Sequence, residues 1–150
     1  MIEMMVVVAV VAILAMLAIP SYQDRVIRNQ VAEGVTLAGF VRDAVQGFYK
    51  LHQVLPVDNA EAVLPVPEKI IGTYVSNVSV VDGAMTVTYG NRANPALAGK
   101  KLTLRAAVVE GAPVVPISWV CGRAAVPTGM KAMGVDATDL PTSYLPLNCR

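Results

Sequence analysis

Three hydrophobic patterns follow one another along the chain. From Met4 to Ile19 sixteen consecutive residues are apolar and uncharged, ended by Pro20, with Glu3 the only charge before them. From Ile27 the apolar positions thin to a stripe, Ile27, Val31, Val35, Ala38, Val41, Val45, Phe48 and Tyr49, at spacings of three and four. That period belongs to an amphipathic helix running to about Leu51, with Gln23, Asp24, Arg25, Arg28, Glu33, Arg42 and Asp43 around it. After the prolines at 56, 65 and 67 the period shortens to two. "YVSNVSVV" (74–81) and "AMTVTY" (84–89) alternate on either side of Asp82-Gly83, a hairpin signal. "KKLTLRAAVV" (100–109) and "PISWVC" (116–121) predict two more strands, and from Gly122 on glycine, proline and threonine predict a loop.

The expected fold class is therefore α+β: one long N-terminal helix, apolar then amphipathic, packed on a four-stranded antiparallel sheet. Three segments are expected: an apolar helix half (1–19), an amphipathic helix half (20–53) and a globular head (54–150). The nineteen residues before Pro20 would rise about 28 Å as a helix, close to the hydrocarbon thickness of a bilayer. A buried core helix is disfavoured, because so small a domain has trouble surrounding a helix apolar on every side. A cleavable signal peptide is disfavoured too: the start carries a glutamate in place of a lysine or arginine, and the segment ends in Ile19-Pro20-Ser21-Tyr22. A helix of about fifty residues would be on the order of 75 Å long, more than the head can cover. The apolar half needs lipid or copies of itself, and Pro20 is expected to kink or loosen the helix.

Composition narrows this further. The chain has 150 residues, 55% of them apolar and 15% charged, with a net charge of +1. That suits one ordered domain and gives no global field toward nucleic acid or anionic lipid. The two cysteines, Cys121 and Cys149, are too far apart for a CxxC pair, and the one histidine, His52, cannot complete a zinc site with them. A structural disulfide outside the cytoplasm is the better reading, stabilising by roughly 3–4 kcal/mol.

"IEMMVVVAVVAILAMLAIPSYQDR" resembles the N-terminus of type IV pilins, and "SWVCG" with "DLPTSYLPLNCR" resembles the disulfide-bounded end of major pilins. The resemblance covers the whole chain, most weakly between Pro56 and Ile70. It implies a structural subunit that anchors in the inner membrane and then polymerises into a surface filament. It also implies an assembly role for Glu3, with Met1 and Ile2, in which the carboxylate meets a neighbour's N-terminal amine. Independently, a carboxylate in an apolar filament core is tolerable only when a cation pairs with it. At a membrane interface the same glutamate would simply suit a helix N-terminus. Family members usually begin with an N-methylated phenylalanine after a basic leader cut by prepilin peptidase, whereas only Met1 precedes Ile2-Glu3 here. A glycine common in the apolar segment is Ala12 in this chain. Alanine favours helix by about 1 kcal/mol, so melting of the helix in the filament would lean on Pro20. The implied partners are copies of the chain, the inner membrane, the assembly machinery and the peptidase, with motility, adhesion and DNA uptake as the roles.

Other chemistry is weak. "GNRANPALAGKK" (90–101) fails as a phosphate loop, with Asn94 where a glycine is needed and Lys101 where serine or threonine should stand. His52 has no accompanying hydrolase or zinc motif. Asn77-Val78-Ser79 is a sequon inside a predicted strand. Lys100, Lys101, Arg105, Arg123 and Lys131 form a candidate patch for DNA backbone, though one split over strand and loop is more often a solvated face. No cofactor, metal or enzymatic activity is expected. The alternatives are a minor pilin or secretion-system pseudopilin, or a membrane-tethered enzyme or binding module.

Overall fold

A computed structural model describes the backbone over residues 1–150 and the side chains of residues 1–17 and 22–150. The expected kink at Pro20, and the boundary between residues 19 and 20, lie outside the described residues. Helix α1 runs from Ile2 to His52. It stops where Gln53 turns left-handed (φ 61°) and donates its N–H to Tyr49 O at 2.8 Å, which satisfies a terminal carbonyl. Lys50 and His52 complement the negative end of the helix dipole. The predicted stripe is the buried one: Ile27, Val31, Ala38, Val41, Val45 and Tyr49 are at most 6% exposed, with Val35 and Phe48 partly buried.

The sheet is an antiparallel meander, β1 (Val75–Val81), β2 (Ala84–Tyr89), β3 (Lys101–Val108) and β4 (Ser118–Cys121), in that spatial order. Asp82 and Gly83 both have positive φ, 49° and 76°, as a two-residue primed turn requires. Val78, Val80, Met85, Val87, Leu102 and Leu104 join the helix stripe in one core. On the other face Thr86 and Thr103 share a hydroxyl bond of 3.1 Å, and Thr103 Oγ1 accepts the N–H of Ala137.

The segment after Gly122, expected to be loop throughout, contains a short strand β5 (Lys131–Ala132) paired with the end of β3. The reason is geometric. β2 begins only at Ala84, opposite Arg105, so β3 beyond that point has an empty flank. β5 fills it, Met133 donating its N–H to Ala106 O at 2.7 Å.

The free edge of β1 is closed by a side chain. Asn59, 5% exposed, accepts the Val80 N–H at 2.7 Å through Oδ1, while its Nδ2 donates to Val78 O and Pro65 O at 3.2 and 3.0 Å. The amide thus stands in for a neighbouring strand. We expect Asn59→Ala to destabilise the head by about 1–2 kcal/mol, since water entering at the edge replaces only part of these bonds. Urea unfolding of the two proteins measures this, and a change below 0.3 kcal/mol would reduce Asn59 to a loop residue.

The candidate assembly surface

The first part of α1 has nothing packed against it. Every residue from Met1 to Leu17 is exposed, including Ile2 (78%), Met4 (70%) and Leu17 (69%). An 18-residue window of the helix reaches a mean hydropathy of 2.9, enough by length and composition to cross a membrane. In water each large side chain left bare forgoes about 1.5–3 kcal/mol of burial, so this surface demands a cover. Glu3 is in the first turn, where unpaired backbone N–H groups favour a negative charge. It is the only ionised side chain before Asp24, at the rim of an otherwise apolar cylinder. Ala12 lies with Met4, Met5, Val8 and Ala9 along a shallow apolar groove, a flat strip on which another helix can lie close.

The head is closed by comparison. Cys121 and Cys149 are joined in a disulfide, with a sequence separation of 28. Leu140 and Leu145, 0% and 1% exposed, carry the enclosed loop into the main core. Arg28 reaches across from α1 and donates Nε–H to Ser143 O at 2.9 Å, tying the helix to that loop. On the core side Tyr89 donates its hydroxyl to Val31 O at 3.0 Å and packs closely against Gly34. Burial, and then the Glu33 carboxylate, push the Tyr89 phenol above its ordinary range, so it remains a donor throughout the working pH range. Sequence patterning did not expose Arg28, Gly34, Asn59 or Tyr89 as contacts. Each depends on a partner more than fifteen positions away and none belongs to a motif.

The remaining candidates are dispersed. Lys101 and Lys131 are at opposite ends of β3, and Lys131 Nζ is held by Glu110 Oε1 at 2.7 Å. The 90–101 loop turns backbone donors inward: Asn94 N–H to Gln30 Oε1 at 2.8 Å and Ala96 N–H to Asn94 Oδ1 at 2.9 Å. His52 stacks on Phe48 with ring centroids 4.1 Å apart, its Nδ1 being 3.1 Å from Phe48 O, as befits a helix-end residue. Asn77 is half-buried in β1, opposite Thr88. No group of three or more His, Cys, Asp or Glu able to hold a metal occurs among the described residues.

The arrangement is that of a finished head on an unfinished helix, and comparison with known proteins gives it a family. Residues 28–150 match the pilin family, described as a bacterial filament protein. The whole chain aligns at 37% identity with "Type IV major pilin protein PilE1" of Neisseria gonorrhoeae, covering 84% of that protein. It aligns at 35% with "Fimbrial protein" of Neisseria meningitidis serogroup B, covering 91% of it, and at 32% with "Fimbrial protein EcpC" of Eikenella corrodens, covering 88%. With a long N-terminal helix, an antiparallel sheet and a terminal disulfide, the chain belongs to the pilin family, the structural proteins of bacterial filaments.

Proposed function

We propose that this chain is the major subunit of a type IV pilus. The observation that carries the reading is the bare helix half: seventeen described residues, apolar but for Glu3, projecting from a head that has already buried its own core. Two environments satisfy that surface. In the inner membrane it anchors the free subunit. In the filament it packs against the same segment of neighbouring copies, with the heads outermost. Since lipid is as apolar as leucine, transfer from membrane to filament gains little from hydrophobicity, and close packing with paired polar groups must favour the polymer. Glu3 supplies the polar pair. Its carboxylate meets the N-terminal amine of an adjacent subunit, so that an incorrect axial register leaves a buried charge unpaired, a penalty of several kcal/mol. Met1 and Ile2 accompany it at that contact.

The finer expectations rest on this. Prepilin peptidase and N-methylation would prepare the amine, and an assembly machine would extract the subunit, because nothing in the chain resembles a motor. Ala12 would hold the apolar half helical, leaving Pro20 as the place where it yields. Motility, adhesion and DNA uptake are roles the filament would serve.

Electron microscopy of sheared surface filaments tests the function, comparing wild type with Glu3→Ala. The wild type is expected to give abundant filaments of this subunit. The variant is expected to give at least tenfold fewer, with its level in the membrane unchanged. Normal filaments from the variant would remove the register role, and no wild-type filaments would remove the major-subunit reading.

A further inference from the structure

The head has two unlike ends along the axis of α1. At the end where α1 stops, a cleft of about 600 Å³ opens, walled by Tyr49, Leu55, Val108 and Met133, with Asp82 and Glu110 at its mouth. The β1–β2 turn and the loop after β3 form its rim. At the opposite end lies the β2–β3 connection, a knob of residues 91–99 seated against α1. Leu97, fully buried, and the Asn94 N–H bonded to Gln30 pin its base, while Pro95, Ala96 and Ala98 remain exposed at the tip, with exposed Arg92 alongside.

Charge divides the same way. The cleft end carries Asp58, Glu61, Asp82 and Glu110 against Lys50, Arg105 and Lys131. The knob end carries Arg25, Arg28, Arg92, Lys100 and Lys101 against Asp24, Glu33 and Asp139. The cleft end has an excess of one negative charge and the other end an excess of two positive charges. One end is therefore a net-acidic apolar hollow and the other a net-basic knob of small apolar residues.

We infer that the cleft at the C-terminal end of α1 receives the 91–99 knob of a second copy, an axial head-to-head-base contact between subunits. The inference rests on the polymer reading above but concerns a surface that the apolar helix half does not use. Joining different surfaces of identical subunits is a heterologous contact, which propagates as an open helical array when its rotation does not close a ring. Pro95 and Ala96 fill the hollow without a large apolar side chain having to be exposed on the free subunit. Arg92 comes to Asp82 at the mouth, beside the Glu110–Lys131 pair, where opposite potentials fix orientation and disfavour the reversed approach. A contact of this size is weak for a free pair, but in a filament it acts between subunits already held by their helices, at high effective concentration.

The test uses full-length protein in sheared filaments. Val54→Cys, on the cleft wall, combined with Ala96→Cys, on the knob, should give a ladder of covalent oligomers on a non-reducing gel, with no ladder from either single variant. Arg92→Glu should lower filament yield at least fivefold, and Arg92→Lys should restore most of it. Filaments that form normally in the double-cysteine variant without laddering, together with a neutral Arg92→Glu, would overturn this contact while leaving the polymer intact. Absence of filaments from the wild type would overturn both.

Discussion

Gly34→Ala will destabilise the head, although alanine is the better helix former. In an exposed helix interior the exchange favours folding by about 0.8–1 kcal/mol. At position 34 a Cβ would meet the Tyr89 ring, with Cε1 and Cζ at 2.7 Å and the hydroxyl closer still. The ring has no room to withdraw, being 0% exposed, packed in the main core, and held by its hydroxyl at Val31 O. Overpacking of this kind typically costs 1–3 kcal/mol, and moving the ring would also lose the hydrogen bond, so the steric term prevails. The net expectation is a loss of about 1–2 kcal/mol for alanine, and more for Gly34→Val, whose second and third carbons enlarge the clash. Gly39 and Gly47 serve as internal controls, since a Cβ at either meets nothing within 4 Å. Gly39→Ala and Gly47→Ala should each stabilise by about 0.5–1 kcal/mol. Urea unfolding of the full-length wild type and the four variants in detergent micelles measures the series. The same sign at all three positions would show that propensity, not the Tyr89 contact, governs α1.

Removing the disulfide should have the largest effect of any change to the head. Cys121→Ala with Cys149→Ala opens a loop of 28 residues' separation, and the chain-entropy model gives a loss of about 3–4 kcal/mol. For a domain with a total stability of about 5–15 kcal/mol this is a large fraction. The loop it closes has a β5 of only two residues, while Leu140 and Leu145 give it purchase in the core. Arg28, at Ser143, should lose its bond once the loop swings free. Thermal unfolding with and without reductant is the check: the wild type should lose stability on reduction, and the double-alanine protein should start at the lower value and ignore the reductant. A loss below 1 kcal/mol would mean that Leu140 and Leu145 hold the loop unaided.

What could be read along the chain, and what could not, follows from the range of the interactions. The stripe from Ile27 to Tyr49 and the alternation around Asp82-Gly83 are local periodicities, so α1 and the β1–β2 hairpin were legible within a residue or two of their observed ends. The cysteine pair was legible because no other partner chemistry was available. β5 was not: Lys131-Ala132 has no strand pattern and pairs only because β2 leaves the end of β3 uncovered. Asn59 in a proline-bounded connection has the look of a turn residue, and only the bare edge of β1 makes it a substitute strand. Gly34 fits the helix period like any small residue, and the phenol that requires it lies 55 positions on. For the assembly surface, the apolar segment was plain from composition. The knob and cleft depend on which loops the fold gathers at each end.

The plug at Asn59 bears on how a polymer of this chain comes apart. Assemblies that join sheet edge to sheet edge share a backbone ladder, and such ladders give amyloid its resistance to dissolution. With the outward groups of Val78 and Val80 already satisfied inside each subunit, that route is barred at the β1 edge. Copies then meet there through side chains alone. A joint of that kind can be reversed at this edge without breaking a shared backbone ladder.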